Sequence, residues 1–405
     1  MSGTFAALKI SDHVYWVGAI DWALREFHGY LTSRGTTYNA YLILADKITL
    51  IDTVKAPFQD EMLSRIASVV EPSRIAYIIS NHSEMDHTGC LPDMIELVKP
   101  EKVVASVMGV KALQEHFHFR HELVAVKDGE SLSLGNMNLQ FMETRMLHWP
   151  DSMVTYLPEE RLLFSQDGFG MHLASSERFD DEISEDILFY EAAKYYANII
   201  MPFAPVVTKA LEKLQKIGWS VSRIAADHGP IWRSGIAKII DLYAKWAQRA
   251  PTKKAVILYD TMWQSTARMA RAIAEGVSSG GATAKVMSLG VSHRSDVATE
   301  VLDAGALVVG SPTLNNGLFP TVADGLTYLQ GLNPRHLVGA AFGSYGWSGQ
   351  AVKQIENILN EMKVELVDKG INVRYVPTAE NLEECVSLGR RVAEKLKEKC
   401  AQPTP

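Results

Sequence analysis

The chain has 405 residues, of which 47% are hydrophobic and 21% are charged. At about 150 residues per domain, this length predicts two or three domains that each bury a core of their own. A formal net charge of −7 argues against a nucleic-acid binder, and a mean hydropathy of −0.02 argues against a membrane-spanning protein.

Charge and cysteine content add two expectations. Residues 1–252 hold 24 basic and 32 acidic residues, whereas residues 253–405 hold 16 and 15, which predicts two domains of different electrostatic character. The first residues carry no basic stretch followed by an apolar one, so no secretory leader is expected. Only three cysteines are present, without metal-ligand spacing. We therefore expect a cytoplasmic protein in a reducing compartment.

The first half alternates short β-branched runs with helical patterns, and its hairpin-like pairs predict mixed sheets covered by helices. The predicted strands are Asn39–Leu44, Ile48–Asp52, Ile75–Ser80, Val103–Ser106, Leu139–Met142, Met153–Leu157 and Leu162–Ser165. The predicted helices are Phe58–Val70, Ile183–Ala197, Val206–Lys216 and residues 236–249. A turn-like linker follows at Ala250–Lys253.

Beyond the linker the pattern becomes a regular alternation of strand, loop and helix. Strands are predicted at 254–259, 283–288, 306–310, 337–342 and 372–376, and helices at 265–279, 296–304, 320–330, 348–362 and 380–398. Five such repeats in about 150 residues are typical of a doubly wound parallel α/β domain.

A dense group of metal-binding side chains follows the predicted strand Ile75–Ser80. His82, Glu84, Asp86 and His87 lie within six residues of one another. A loop that aims two imidazoles and two carboxylates inward needs cations to balance their charges. Three more candidates each follow an apolar run and lie at a turn, namely His148, Asp167 and His228. Any one of these three would more often be a capping or core residue, but together with the first loop they indicate a metal site.

The spacing resembles the metallo-β-lactamase superfamily, whose loop reads H-x-H-x-D-H. Glu84 stands where that loop has its second histidine, and three carboxylates mixed with imidazoles suit iron better than zinc. With Glu84 the match narrows to the flavodiiron proteins, also called A-type flavoproteins. The resemblance implies an α/β protein with a metallo-β-lactamase-like αββα sandwich at residues 1–250, followed by a flavodoxin-like doubly wound parallel sheet at 253–400.

The resemblance also implies how the ligands are divided between two irons. His82, Glu84 and His148 would hold one iron, and Asp86, His87 and His228 the other. Asp167 would bridge the two. By the same analogy, His28 and Tyr195 are candidates for a supporting or proton-relay role, although the sequence alone favours a structural role for each.

Three loops at the carboxyl ends of predicted parallel strands point to a flavin site in the second half. Hydroxyls before the helix at 265 suit a phosphate, although a plain helix cap explains that loop equally well on its own. No GxGxxG follows the first strand, which argues against a nicotinamide cofactor. By resemblance to flavodoxin, FMN would contact Thr261, Met262, Trp263, Gln264, Ser265, Thr266, Pro312, Thr313, Leu314, Asn315, Asn316, Ser344, Tyr345, Gly346, Trp347, Ser348 and Gly349.

The implied activity is the four-electron reduction of O2 to water at a diiron centre, with electrons delivered through FMN from rubredoxin. Reduction of nitric oxide to N2O is a competing activity, and a head-to-tail homodimer is the expected assembly. Two alternatives stay open at this stage. One is a metal-dependent hydrolase with an accessory flavodoxin domain, and the other is an electron carrier or gas sensor.

Overall fold

The structure is a computed structural model, and it describes residues 4–401. The chain forms two compact units. The first comprises the residues up to His28, Thr32–Tyr195 and Pro205–Ala244. The second comprises Gly29–Leu31, Tyr196–Ala204 and the chain from Lys245 onward. Within residues 4–401 no helix has the length and apolar character needed to cross a membrane.

The elements before residue 250 are mostly short. The strands are β1 (Leu8–Lys9), β2 (Val14–Trp16), β3 (Ala19–Asp21), β4 (Glu26–Phe27), β5 (Tyr30–Leu31), β6 (Thr36–Tyr38), β7 (Tyr41–Ile43), β8 (Thr49–Ile51), β9 (Tyr77–Ser80), β10 (Lys102–Ser106), β11 (Leu123–Val126), β12 (Ser131–Ser133), β13 (Asn138–Glu143), β14 (Met153–Leu157), β15 (Leu162–Gln166) and β16 (Arg223–Ala226). The α-helices are α1 (Gln59–Ala67), α2 (Met85–Thr88), α3 (Leu91–Val98), α4 (Val107–Phe117), α5 (Glu185–Tyr195), α6 (Ala204–Ile217) and α7 (Ile236–Gln248).

Two mixed sheets build the first unit. One has seven strands in the order β1-β2-β7-β8-β9-β10-β11, and the other has five in the order β12-β13-β14-β15-β16. Tyr41, Ile79 and Phe164 belong to one apolar cluster between the sheets, while Leu42 and Ile78 pack on the opposite face of the first sheet with the helices. Alternate residues along a strand thus enter two different cores. The predicted αββα sandwich is confirmed.

The seven strands and four helices predicted for this half are all present, with ends shifted by no more than three residues. Two corrections follow from the structure. The helix predicted for Ile183–Ala197 leaves α-helical geometry after Tyr195 and continues as a π-helical turn over Tyr196–Ile200. Helices α3 and α4 and strand β16 were also not predicted, because their short apolar runs carry no distinctive period.

The second unit contains one parallel sheet. Its strands are β17 (Lys254–Tyr259), β18 (Thr283–Ser288), β19 (Ala306–Pro312), β20 (Val338–Tyr345), β21 (Glu365–Leu366) and β22 (Ile371–Arg374). Its helices are α8 (Ser265–Ser279), α9 (Arg294–Val301), α10 (Pro320–Leu332), α11 (Gln350–Glu361) and α12 (Ala379–Cys400). The order is β18-β17-β19-β20, with β21 and β22 both pairing with β20. The doubly wound sheet is confirmed, with the two-residue β21 as an addition to the five predicted strands.

Two glycines let helices α8 and α12 approach closely. A Cβ on Gly389 would overlap the backbone carbonyl oxygen of Ile273 and lie 2.9 Å from the Cα of Gly276. A Cβ on Gly276 would in turn overlap the carbonyl oxygen of Val386. The two backbones are therefore in direct contact where these glycines meet.

We expect Gly389→Ala to lower the free energy of unfolding by about 1–3 kcal/mol, because the added methyl group forces the two helices apart. Gly331→Ala in α10 is the matched control, since a Cβ there meets nothing within 4 Å. The control should be neutral or stabilising by about 0.4–1 kcal/mol. Urea unfolding followed by circular dichroism measures both variants, and an unchanged Gly389→Ala protein would contradict the close contact.

Candidate metal centre and strand-end pocket

All seven predicted metal ligands lie on segments that follow strands of the two packed sheets. His82 and Glu84 belong to the loop after β9, and Asp86 and His87 to the single-turn helix α2 that follows it. The remaining three lie between β13 and β14 (His148), after β15 (Asp167) and after β16 (His228). The sandwich thereby brings together side chains that are up to 146 positions apart in the sequence.

The first group of donors surrounds one oxygen of the Asp167 carboxylate. His148 Nε2 lies 2.8 Å and His82 Nε2 lies 3.3 Å from Asp167 Oδ2. Glu84 completes the group, with its Oε2 3.1 Å from His148 Nε2. One ligand atom from each of these four residues lies within 4.8 Å of the others, which is close enough to share a cation.

The second group faces the other oxygen of the same carboxylate. His87 Nε2 and His228 Nε2 lie 3.5 and 3.6 Å from Asp167 Oδ1. The two imidazole nitrogens are 3.2 Å apart, and Asp86 Oδ2 is 3.2 Å from His228 Nε2. Asp167 thus turns one oxygen to each group of donors, which is the arrangement that a carboxylate bridging two metals adopts.

Several of these donor atoms are buried and form no hydrogen bond. His82 Nε2, both Asp86 oxygens and Asp167 Oδ1 are buried and have no hydrogen-bond partner among the described residues. Unpaired buried polar groups are costly, and they are rare unless a ligand or an ion serves them. This cluster of nitrogen and oxygen donors therefore fits a pair of cations.

The pKa shifts reflect the same crowding. Burial by itself lowers the pKa of His148, but hydrogen bonds to Asp167 and Glu84 outweigh it and raise the pKa to about 9. Burial by itself raises the pKa of Asp167, but the charge of His82 and the hydrogen bond from His148 hold it well below its usual value. These shifts favour an anionic Asp167 beside positive charge, which a metal supplies in place of protons.

Three buried residues around the centre were missed by the sequence analysis. Asp227 lies next to the Nδ1 atoms of His82 and His87. Asp52, with φ of 54°, accepts hydrogen bonds from the backbone N and Nδ2 of Asn81 at 2.7 and 2.6 Å and so holds the start of the ligand loop. His172 contacts Thr36, whose hydroxyl also lies 3.2 Å from His228 Nδ1. Two sequence features could have pointed to these carboxylates: Asp227 directly precedes a predicted ligand, and Asp52 directly follows a buried strand.

The two candidates for supporting roles lie in different surroundings. His28 is 72% exposed, and its Nε2 lies 3.5 Å from Glu84 Oε1. Tyr195 is buried, with its ring centroid 5.1 Å from that of His172 and 6.1 Å from that of His228. Burial and nearby carboxylates, Asp167 foremost, raise the pKa of Tyr195 well above its usual value, which keeps its hydroxyl protonated.

An open cavity of about 440 Å³ reaches the centre from solvent. Glu84 and Asp86 form part of its wall, so one residue of each donor group borders it. Its mouth also contains Lys55 and the apolar side chains of Phe27 and Met85. A small neutral molecule therefore has space beside Glu84 and Asp86.

The predicted flavin loops in the second unit enclose a cavity of about 720 Å³. It is lined by Met262, Trp263, Ser265, Pro312, Thr313, Leu314, Asn315, Asn316, Ser344, Tyr345, Gly346, Trp347, Ser348, Tyr375 and Val376. Thirteen of these were predicted, and Tyr375 and Val376 after β22 were missed. Four predicted residues, Thr261, Gln264, Thr266 and Gly349, do not line the cavity.

One observation makes one end of this cavity suitable for a phosphate. Helix α8 begins at Ser265, so its unpaired backbone N–H groups carry partial positive charge there. The hydroxyl of Thr261, which lies outside the cavity lining, is buried without a hydrogen-bond partner among the described residues. Thr266, by contrast, is buried and pairs with Ser344 at 3.0 Å, which supports the loop from behind.

Comparison with known proteins agrees with both sites. Residues 36–229 match the family model described as ODP family beta lactamase, and residues 257–389 match flavodoxin. The chain is 47% identical over 393 residues to a protein of Moorella thermoacetica named nitric oxide reductase, with coverage of 96% of this chain and 98% of the relative. It is 46% identical over 399 residues to rubredoxin-oxygen oxidoreductase of Megalodesulfovibrio gigas, with coverage of 98% and 99%.

Solved structures extend the similarity to three dimensions. Rubredoxin oxygen:oxidoreductase from Desulfovibrio gigas matches with a TM-score of 0.96 at 46% identity, covering 98% of this chain and 100% of that one. The flavodiiron protein of Giardia intestinalis matches with a TM-score of 0.95 at 34% identity, covering 98% of each chain.

The chain belongs to the flavodiiron protein family. Membership confirms the predicted order of domains and the assignment to the oxidoreductases. It also confirms the predicted classes of cofactor, a flavin in the flavodoxin domain and two irons in the other. This flavodiiron chain therefore combines two redox sites in one polypeptide.

Proposed function

We propose that this chain is an oxygen reductase that converts O2 to two waters at a diiron centre fed by FMN. The observation that carries the proposal is the Asp167 carboxylate, whose two oxygens face separate groups of nitrogen and oxygen donors. When bound, two irons and one reduced FMN supply four electrons in total, the number that O2 needs to become water.

In this proposal each side chain has a defined task. The first iron would be held by His82, Glu84 and His148 and the second by Asp86, His87 and His228, with Asp167 shared between them. Three carboxylates among seven ligands favour iron over zinc, because hard oxygen donors balance the charge of both ferrous and ferric states. The cavity beside Glu84 and Asp86 supports entry of the small substrate.

Two residues are proposed to serve proton supply and positioning. His28 Nε2 lies 3.5 Å from Glu84 Oε1, and its side chain is open to solvent, so it is placed between the centre and water. Tyr195 keeps its hydroxyl proton at neutral pH because burial raises its pKa. It therefore acts as a neutral donor in the buried wall rather than as an additional anion.

Nitric oxide reduction to N2O is the second candidate, because the Moorella relative at 47% identity is named for that activity. The reaction needs two electrons for each pair of NO molecules. Parallel measurement of O2 and NO consumption with the same reduced donor separates the two. A faster rate with NO at equal concentration would make it the principal activity.

For the bridge we expect Asp167→Ala to lose more iron than His148→Ala, because a bridging ligand serves both metals and a terminal one serves a single metal. The parent should contain two irons and consume four electrons per O2. Iron analysis by mass spectrometry and an oxygen electrode measure these quantities. Equal iron content in the two variants would contradict the bridge.

The hydrolase alternative is tested in the same experiment. A parent protein that contains zinc, cleaves model esters and consumes no O2 would favour it over the oxidoreductase. Steady-state turnover with O2 would exclude a simple electron carrier or sensor.

FMN is proposed to occupy the 720 Å³ cavity, with its phosphate at the start of α8 and its ring system between Trp263, Trp347 and Tyr345. The two tryptophans are 90% and 89% exposed. Such large apolar side chains seldom remain so exposed unless a ligand or partner covers them. A flavin ring is of suitable size and character to stack there.

We expect Ser265→Asp to weaken FMN binding about tenfold or more, because its carboxylate repels the phosphate while still favouring the helix N-terminus. Riboflavin lacks the phosphate and is the matched control ligand. Its affinity should be unchanged in the same variant. Fluorescence titration of the flavin-depleted protein measures both, and an equal loss for the two ligands would move the phosphate elsewhere.

Rubredoxin is proposed as the electron donor, supported by the name of the Megalodesulfovibrio relative and by the charge distribution. The first half of the chain, with 24 basic and 32 acidic residues, repels an acidic partner, whereas the flavin-binding half is nearly neutral. Arg374 directly precedes Tyr375 of the cavity wall and donates a hydrogen bond from Nε to the carbonyl of Gly346 at 3.1 Å. We therefore propose that the donor docks at the flavin loops.

We expect Arg374→Gln to slow FMN reduction by reduced rubredoxin and to weaken its dependence on salt, since one attractive charge is lost. Arg390→Gln in α12 is the control, because Arg390 hydrogen-bonds Ser279 rather than the cavity wall. Stopped-flow absorbance at several salt concentrations gives both rates. A parent rate that stays flat or rises with salt would rule out guidance by attraction.

The assembly is proposed to be a head-to-tail homodimer in the cytoplasm. The exposed side chains of Tyr375 and Val376 in the cavity wall support a protein contact at that end of the second unit. The described cysteines form no disulfide, which suits a reducing compartment.

A further inference from the structure

Asp227 brings a buried carboxylate to the rear of the metal centre. It follows β16, directly precedes His228, and is completely buried. Its Oδ2 lies 3.6 Å from Nδ1 of His82 and 3.7 Å from Nδ1 of His87. These are the outer nitrogens of two imidazoles whose Nε2 atoms face different oxygens of Asp167. One carboxylate oxygen therefore serves one imidazole from each donor group.

None of these four atoms is engaged in a hydrogen bond elsewhere in residues 4–401. His82 Nδ1, His87 Nδ1 and both Asp227 oxygens are buried, and none has a hydrogen-bond partner among residues 4–401. Distances of 3.6–3.7 Å exceed a normal hydrogen bond. The carboxyl group of Asp227 and the two Nδ1 atoms are thus close enough to interact electrostatically without forming a hydrogen bond. In dry surroundings such a contact is stronger than at the surface.

The remaining imidazole of the second group is held differently. His228 Nδ1 lies 2.6 Å from the backbone carbonyl oxygen of Thr37, which is a neutral acceptor. The nearby Asp52 carboxylate is engaged by two bonds from Asn81, so it fixes the loop and not an imidazole. Asp227 is therefore the carboxylate placed to act on ligands of both groups.

We propose that Asp227 is a positioning residue that acts on both metals at once, through His82 on one side and His87 on the other. The inference rests on the proposed assignment of these two histidines to different irons. A carboxylate behind a ligating imidazole fixes its tautomer and makes its Nε2 a stronger donor. Because one charge serves both ligands, its removal should alter both metals in the same direction.

The test is Asp227→Asn, which removes the charge and keeps the size of the side chain. We expect both one-electron steps of the diiron centre to move to higher reduction potential in a titration followed by electron paramagnetic resonance. Iron loss to an excess of chelator should accelerate about tenfold or more. The potential of FMN, measured in the same sample, should stay unchanged.

Asp180→Asn is the matched control. Asp180 is also a buried carboxylate of the first unit, but it accepts bonds from the backbone N–H groups of Arg233 and Ser234 before α7. Its loss should lower thermal stability and leave both diiron potentials unchanged. If Asp227→Asn does not accumulate as folded protein, Asp227→Ser gives the same comparison with a smaller side chain.

The outcomes separate the inference from the proposed function. A shift in only one of the two steps, or in neither, would overturn the shared role of Asp227. If Asp180→Asn shifts the diiron potentials by the same amount, the effect belongs to buried charge in general. That result would also overturn the shared role of Asp227. A parent protein that shows no diiron steps after loading with iron would instead refute the proposed function.

Discussion

The sharing of one carboxylate between two groups of donors is the constraint on which the rest of the metal centre depends. Asp167 is buried, and its two oxygens lie near histidines of different groups, His82 at Oδ2 and His87 at Oδ1. A movement of this carboxylate would therefore break its contacts with one of the two groups. Three carboxylates and four imidazoles crowd the same space, and their repulsion has to be balanced by protons or metals. Every strand that delivers a ligand must therefore end at nearly the same point.

The sandwich meets this requirement by packing two sheets whose strands end together. β9, β15 and β16 each run fully or nearly buried up to the residue before a ligand segment. The positions of their ends are fixed by the apolar cluster between the sheets. The flavin cavity also lies where neighbouring strands end, because its loops follow parallel strands. These loops present backbone N–H groups, amides and aromatic rings instead of carboxylates and imidazoles.

A second layer of buried polar residues holds the ligands in place. Asp52 orients Asn81, whose own side-chain oxygen accepts from Thr155 at 2.7 Å, so the loop after β9 is tied to the opposite sheet. Thr36 and Thr37 constrain His228 from the other side. Such networks cost stability unless all their members are satisfied. Their presence here suits a site where small displacements change metal binding.

The two domain types, most element positions, Asp167 and the six donors that surround it could all be predicted from the sequence. Strand and helix periods are local properties, and the spacing from His82 to His228 can be read along the chain. Tertiary structure alone decided which oxygen of Asp167 faces which group, because that depends on how two sheets pack. It also decided the positions of Asp227 beside His82 and of Tyr375 in the cavity wall, and it left Thr266 out of that wall and paired with Ser344. Distance and burial arise only when segments far apart in sequence are brought together, and no local pattern encodes them.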